Sequence, residues 1–224
     1  SGALGAGSES SCMKCGAGKY SEVDGGDSEA ACQKCSAGKY SLTEGASTGS
    51  VCIACGAGTY SAAQGASSVS TCVACLAGKY STAQVAVSAA TCITCDAGTY
   101  SATVGATSNA TCLLCGAGKY SGTAGAASEG TCLECVAGKY LASEGSTGAS
   151  DCVECECGKY STAYAASSIG TCQDCGAGKY AVGAGNDEES DCELCVAGKY
   201  FTDVGQCEDP CLACVAGKYL TTEG

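Results

Sequence analysis

Paired cysteines are the residues of this sequence that could do chemistry. Of the 224 residues, 24 are cysteines. Most of them stand in Cys-x-x-Cys pairs, the first of which consists of Cys12 and Cys15. Such a pair is a redox centre when one thiol is activated in a strand–helix–strand fold. It is half of a four-thiolate zinc site when two pairs meet, and two half-cystines when the chain is oxidised. Thiol exchange, zinc binding and disulfide formation are therefore the three chemistries to separate.

The repetition of the pairs weighs against the first two chemistries. A redox centre is a singular site, whereas this motif recurs in about eleven copies and without any helical pattern. Two pairs separated by sixteen residues match the spacing of a zinc site. One zinc ion would consume two pairs and give a period of about 40 residues, but the sequence repeats every 20. A zinc-binding array with four thiolates per metal stays open as an alternative.

Disulfide formation is the favoured hypothesis. If the second cysteine of each pair bonds the first cysteine of the next, every bridge closes a loop of about sixteen residues, and loop entropy assigns each bridge on the order of 3 kcal/mol. Bonding within a Cys-x-x-Cys pair stays possible, because connectivity cannot be deduced from sequence alone. The predicted bridges are Cys15–Cys32, Cys35–Cys52, Cys55–Cys72, Cys75–Cys92, Cys95–Cys112, Cys115–Cys132, Cys135–Cys152, Cys155–Cys172, Cys175–Cys192 and Cys195–Cys211.

Four cysteines have no place in this scheme. The scheme would give Cys12 a partner before residue 1 and Cys214 a partner after residue 224, so we expect the chain to be an excerpt of a longer array. Cys157 and Cys207 interrupt the regular motif, and 50 residues separate them, which argues against a mutual bond. They are predicted to be unpaired or to link covalently to a neighbouring chain.

The elements that must position the cysteines repeat with the same period. Each second cysteine is followed by x-Ala-Gly-Lys-Tyr or a close variant, and the tyrosines keep a strict spacing of 20 residues from Tyr20 to Tyr200. Glycine then favours a turn into a short strand, and Thr and β-branched residues near the next cysteine favour a second strand. We predict an all-β, disulfide-rich, elongated and solenoid-like array of about eleven hairpins, with little helix, continuous over residues 1–224.

Composition excludes several classes of function. Leu, Ile, Val and Phe are too few for a large apolar core, so crosslinks must replace it. The sequence has no His, so it lacks a Ser-His or Cys-His nucleophile, and we expect neither an enzyme nor a cofactor. A net charge of −12 argues against a nucleic-acid partner. No apolar run reaches the length needed to span a bilayer.

The motif running from Cys15 through Gly-Ala-Gly-Lys-Tyr-Ser to Cys32 resembles the first module of tumour-necrosis-factor-receptor cysteine-rich domains. It resembles even more the ephrin-receptor-like repeats common in extracellular proteins of algae and protists. The resemblance implies the bridge pattern given above, with the tyrosine ring packed on a disulfide. The family usually has proline after the second cysteine, whereas this chain has Gly, Ser, Leu, Asp, Val or Glu there.

Two further features bear on the setting of the chain. Asn109-Ala110-Thr111 is an N-glycosylation sequon, which with oxidised cysteines fits a secreted protein. The acidic run from Asn186 to Asp191 could bind calcium, although a solubilising face is the simpler interpretation. Near-identical units without a singular site favour a structural role, so we expect a glycosylated, self-associating filament at the cell surface, such as a flagellar hair. The alternative is the stalk or ligand-binding region of a receptor or adhesion protein.

Overall fold

The computed structural model describes residues 12–223. The described residues form two compact units, one of residues 12–95 together with Ala102–Thr111, the other of Asp96–Ser101 together with residues 112–223. Both are built from the same small antiparallel hairpin, with successive hairpins in linear order. Within the described residues there is no α-helix, so the predicted all-β, disulfide-rich class of repeated hairpins is confirmed.

Each hairpin begins with a tight turn. In the first hairpin the Lys19 N–H donates to the Gly16 carbonyl at 3.1 Å, and Gly18 has a φ of 81°. A positive φ at the third position is the mark of a type II turn, which glycine adopts without strain. The chain then enters a two-residue strand ending at Tyr20, which pairs with the two residues that lie between the cysteines of the next pair.

Within residues 12–223 ten hairpins share this register, in which the lysine or threonine before each tyrosine and the tyrosine itself face the two residues between the next cysteines. The paired strands are β1 (Lys19–Tyr20) with β2 (Gln33–Lys34), β3 (Lys39–Tyr40) with β4 (Ile53–Ala54), β5 (Thr59–Tyr60) with β6 (Val73–Ala74), β7 (Lys79–Tyr80) with β8 (Ile93–Thr94), β9 (Thr99–Tyr100) with β10 (Leu113–Leu114), β11 (Lys119–Tyr120) with β12 (Leu133–Glu134), β13 (Lys139–Tyr140) with β14 (Val153–Glu154), β15 (Lys159–Tyr160) with β16 (Gln173–Asp174), β17 (Lys179–Tyr180) with β18 (Glu193–Leu194), and β19 (Lys199–Tyr200) with β20 (Leu212–Ala213).

A short 3-10 helix precedes most of the second strands. The threonines predicted for the second strand lie in these helices instead, because their hydroxyls bond the backbone locally: Thr71 Oγ1 donates to the Ser68 carbonyl at 2.7 Å. The strand therefore starts only after the cysteine. These 3-10 helices are Glu29–Ala31, Gly49–Val51, Val69–Thr71, Ala89–Thr91, Asn109–Thr111, Glu129–Thr131, Ala149–Asp151, Ile169–Thr171 and Glu189–Asp191.

Within each compact unit a hairpin is bonded to the next one along the chain. The Ser41 N–H donates to the Ala66 carbonyl at 3.0 Å, and the Gly65 N–H donates to the Cys35 carbonyl at 2.8 Å. Tyr40 and Ala66 thereby form a parallel bridge on the side of the strand that its own hairpin leaves open. These bonds satisfy the free strand edge, which would otherwise be exposed.

The hairpin after that also comes into contact. A Cβ placed on Gly58 would lie 2.1 Å from the Gly105 carbonyl oxygen, which belongs to a segment 47 residues further along. The same approach recurs between Gly138 and Gly185 at 2.2 Å. The glycine two residues before Tyr60 and before Tyr140 is therefore required both by the left-handed turn and by a backbone that leaves no space for a side chain. At Gly198 and Gly217 nothing lies within 4 Å of the Cβ position, so the turn alone requires glycine there.

The position that receives this approach is glycine in most copies, but Val85 and Ala165 occupy it in two. Both take the left-handed conformation, with φ of 58° and 50° respectively. For residues with a Cβ this conformation costs on the order of 1–2 kcal/mol. Their two copies nevertheless keep the hydrogen bonds of the others, since the Val85 N–H donates to Cys55 O and the Ala165 N–H to Cys135 O.

Small side chains and half-cystines make up the core. The second cysteine of each regular pair is almost wholly buried, as are the alanine after most of the loop glycines, for example Ala106, and the residue after most of the repeat tyrosines, for example Ser61. The Ser61 hydroxyl accepts from the Ala63 N–H at 3.4 Å, which satisfies it. The repeat tyrosines from Tyr20 to Tyr180 are only half-buried, and Tyr200 is exposed.

Gly58→Ala tests the contact between a hairpin and the second one after it. A methyl group there would clash with the Gly105 carbonyl, and the φ of 78° at this position is unfavourable for alanine. We therefore expect the free energy of local unfolding to fall by at least about 2 kcal/mol. Amide hydrogen exchange should then be more than tenfold faster around residues 58 and 105. Gly56→Ala is the matched control in the same turn, since nothing lies within 4 Å of its Cβ position. Equal exchange in the two variants would contradict the contact.

Candidate functional site

The disulfides are the chemical centre of every hairpin. Each regular bridge joins the second cysteine of one pair to the first cysteine of the next, with Cα–Cα distances of 5.6 to 5.8 Å. Cys95 and Cys112 are also disulfide-bonded. The bridges that match predicted pairs are Cys15–Cys32, Cys35–Cys52, Cys55–Cys72, Cys75–Cys92, Cys115–Cys132, Cys135–Cys152, Cys155–Cys172, Cys175–Cys192 and Cys195–Cys211.

Strand geometry explains why a cysteine pair does not close on itself. Gln33 and Lys34 form a strand, and Cys32 and Cys35 stand at its two ends. Side chains three residues apart in an extended strand point to opposite faces, with Cα atoms roughly 10 Å apart. A disulfide needs about 5.5 Å. The two cysteines of a pair therefore take part in two different disulfides, one on each face of the strand. They are too far apart to bond to each other.

The same geometry answers the zinc alternative. Of the 24 cysteines, 22 are disulfide-bonded, and a sulfur in a disulfide cannot serve as a thiolate ligand. Within residues 12–223, no three His, Cys, Asp or Glu side chains come together in a group that could hold a metal ion. The alternative of four thiolates per metal is thus contradicted by the bonding of the sulfur atoms.

The prediction for Cys157 and Cys207 is wrong. They form a disulfide with each other, with a Cα–Cα distance of 4.8 Å across a sequence separation of 50 residues. The prediction assumed that such a separation keeps residues apart. Gly158, beside Cys157, is in fact packed against Gly205: its Cβ position lies 2.3 Å from the Gly205 carbonyl oxygen. The contact between a hairpin and the second hairpin after it thus brings Cys157 and Cys207 close enough to bond.

Tyrosine packs on the bridge of the following hairpin. Tyr120 lies against the cluster of Cys135, Leu141 and Cys152, and Tyr160 lies against Cys175, Ala181 and Cys192. The ring of one hairpin therefore covers the disulfide of the next. A half-buried aromatic in this position gives both sulfur atoms an apolar neighbour and couples adjacent repeats.

Most of the lysines before the tyrosines pair with acids of the same hairpin. Lys139 Nζ lies 3.1 Å from Glu154 Oε1, and Lys179 Nζ lies 2.9 Å from Glu189 Oε1. Lys19 pairs with Glu29 in the same manner, and its hydrogen bond holds the pKa of that carboxyl below its usual value. Exposed pairs of this kind add little stability. Their main effect is to neutralise the charge of the lysines that precede the tyrosines.

The acidic segment near residue 190 uses its groups to cap a helix. Asp191 Oδ2 accepts from the backbone N–H groups of Asp187 at 2.9 Å and Glu188 at 3.1 Å. The Asn186 amide donates to the Lys159 carbonyl of the preceding hairpin at 3.0 Å. In the same hairpin, a hydrogen bond with Glu193 raises the pKa of Tyr180.

Three predicted sites are single residues. Asn109 is exposed and opens a 3-10 helix, in which Thr111 donates its hydroxyl to the Ser108 carbonyl at 2.9 Å. Among residues 12–223, Cys12 and Cys214 are the cysteines outside any disulfide, Cys12 exposed and Cys214 half-buried.

None of the helices found between residues 12 and 223 has the length and apolar character needed to cross a membrane.

An engineered bridge tests whether the contact that carries Cys157–Cys207 recurs. Ala117 and Ser167 are the equivalents of these cysteines two repeats upstream, and the adjacent Gly118 Cβ position lies 2.1 Å from the Ala165 carbonyl oxygen. We expect Ala117→Cys with Ser167→Cys to form a disulfide spontaneously, detected in intact mass spectrometry without reduction as no thiol alkylation beyond that of Cys12 and Cys214. Ala117→Cys with Thr147→Cys is the control and should give two alkylated thiols in addition to those of Cys12 and Cys214. Alkylation of both thiols in the first variant would disprove the recurrence.

Comparison with known proteins agrees with this geometry. A family model described as "Tyrosine-protein kinase ephrin type A/B receptor-like" matches residues 78–130 and 103–152, about a third of the chain. A search of curated proteins finds no match. The matched residues contain the same hairpins and bridges as their neighbours. The predicted resemblance is thereby confirmed over residues 78–152, where the chain is similar to ephrin-receptor-like cysteine-rich repeats.

Proposed function

We propose that the chain is a non-catalytic structural component of an extracellular filament or surface appendage, in which it associates with further copies of itself. The observation that carries the proposal is the equivalence of the repeats. The bond from a loop glycine to the cysteine of the preceding hairpin recurs with nearly constant length, as in Gly65 to Cys35 at 2.8 Å and Gly185 to Cys155 at 2.8 Å. Repetition of one contact distributes load evenly, which suits an architectural protein.

Crosslinking supports this proposal. Each hairpin is closed by a disulfide and is bonded to the next, so its shape does not rely on a large apolar core. Disulfides persist in extracellular and other oxidising compartments, and a cysteine-rich repeat array is typical of extracellular regions. The net charge of −12 keeps single chains soluble and repels nucleic acid.

A second candidate is the stalk or ligand-binding region of a receptor or adhesion protein. The description of the matching family, which names ephrin receptors, favours it. In that case the array would act as a spacer or would present one distinct patch to a ligand. The two proposals differ in a measurable property: a stalk stays monomeric in solution at concentrations where a filament protein associates.

Imaging tests the filament proposal. We expect negative-stain electron microscopy of the purified, oxidised chain at micromolar concentration to show lateral or end-to-end association. Reduction of the disulfides before imaging is the control and should abolish ordered assemblies, because the hairpins lose their crosslinks. Isolated monomers at every concentration would contradict the proposal and favour the receptor stalk.

Asn109 provides a test of the extracellular setting. We propose that its side chain carries an N-linked glycan, since it is exposed within the sequon. Expression through a eukaryotic secretory pathway should add one glycan, seen by intact mass, and Asn109→Gln should remove it. Asn186→Gln, outside any sequon, should leave the mass of the glycan unchanged. An unmodified Asn109 in the secreted chain would contradict the assignment.

A further inference from the structure

Charge is distributed very unevenly along the repeats. Residues 45–95, here called the neutral section, contain one charged residue, Lys79. Residues 129–211, here called the acidic section, contain 15 acidic residues and four lysines, a net charge of −11. The neutral section lies within the first compact unit and the acidic section within the second. Since the hairpins are the same in both, the fold itself does not require this distribution.

The neutral section also exposes aliphatic side chains at one register position. Ile53, Val73 and Ile93 directly face the tyrosines of three successive hairpins, and each is about half exposed, at 50%, 49% and 50% respectively. Leu76, at the tip of a turn, is 73% exposed. An aliphatic group recurring at half exposure in a segment with almost no charge is a feature of surfaces that become covered.

Hairpin formation does not explain these aliphatic residues. At the same register position, facing the tyrosine of its hairpin, stand Gln33, Gln173 and Glu193. Their hairpins have the same strand pairing and the same disulfides as the others. A polar residue is therefore compatible with the fold at this position. Aliphatic residues also stand there outside the neutral section, at Leu113, Leu133, Val153 and Leu212. The neutral section is distinguished by having these exposed aliphatic groups in a segment without acidic residues.

We propose that the neutral section is the surface through which two copies of this chain associate. The charges indicate which partner binds the neutral section. A cationic partner would be attracted to the acidic section instead. Two copies of this chain, each with a net charge of −12, repel each other wherever both surfaces carry acids. In the neutral section, which contains no acidic residue, two copies can meet without contact between like-charged acids. The residue types at positions 53, 73 and 93 are Ile, Val and Ile, which is the same order from either end. Two antiparallel copies related by a two-fold axis through Val73 would therefore place Ile53 of one copy against Ile93 of the other.

This inference deepens the proposed filament function and rests on it, since it identifies which surface supports self-association. The test compares Ile53→Gln/Val73→Gln/Ile93→Gln with the wild type by sedimentation velocity over a range of concentrations. We expect at least tenfold weaker association for this variant. The matched control Leu133→Gln/Val153→Gln/Leu212→Gln changes the same register position outside the neutral section, and its association should stay within twofold of the wild type.

A second variant guards against misfolding. Leu76→Glu places an acid at the turn position that Asp96 and Glu156 occupy in other repeats, so the hairpin is expected to fold. It should weaken association at 50 mM NaCl and recover part of it at 500 mM NaCl, because the added repulsion is screened. Peptide mapping of Cys35–Cys52, Cys55–Cys72 and Cys75–Cys92 verifies the fold of both variants.

The outcomes separate the two proposals. If the wild type associates and both neutral-section variants associate equally well, the assignment of the surface is overturned while the filament function stands. If the wild type is monomeric at all concentrations, the filament function and the assignment both fall. Co-sedimentation of a monomeric wild type with neutral phosphatidylcholine vesicles would likewise overturn the assignment, since it would identify a lipid surface as the occupant.

Discussion

The opposite orientation of the two cysteines in each pair is the constraint on which the rest of the structure depends. Two strand residues separate them, so one sulfur faces back toward its own hairpin and the other faces forward. Every pair thereby becomes a covalent link between successive loops. A chain with so few large aliphatic residues holds its shape through this relay, because the crosslinks restrict the unfolded chain where a core would stabilise the folded one.

Close backbone packing is the second consequence of small side chains. Gly58 and Gly105 approach so closely that no Cβ fits, and alanine and serine fill the interior beside the half-cystines. This packing extends contacts from the next hairpin to the one beyond it. The Cys157–Cys207 bridge occurs where that contact brings two turns together, and it replaces residues that are small in the other repeats. A crosslink across 50 residues is therefore a local modification of a contact that is general in the array.

Surface composition varies while the scaffold stays constant. The register position opposite the tyrosine accepts Ile53, Gln173 or Glu193 without a change of strand pairing. Because the disulfides and backbone contacts determine the hairpin, the exposed positions are free to differ. Charge and apolar surface can therefore be concentrated in separate sections, which is how a repetitive scaffold acquires distinct surfaces.

The sequence by itself determined the repeat and the hairpin, and it favoured the regular disulfides without excluding bonds within a Cys-x-x-Cys pair. The spacing of the cysteines and the glycine two residues before Tyr60 are local features, and turn and strand preferences act over a few residues. The resemblance to ephrin-receptor-like repeats rested on those same local residues. Exposed Asn109 could also be recognised, since a sequon is a contiguous motif.

Only the tertiary structure decided what lies beyond one repeat. The sequence could not show that Cys157 reaches Cys207, because no motif of either residue encodes the winding that brings a hairpin against the second one after it. It also could not show that Ser61 is buried while Tyr60 is half exposed, since a small polar residue beside a large aromatic suggests the opposite. Local spacing determines local bonds, whereas the angle between successive hairpins is the sum of many small contacts that no single motif records.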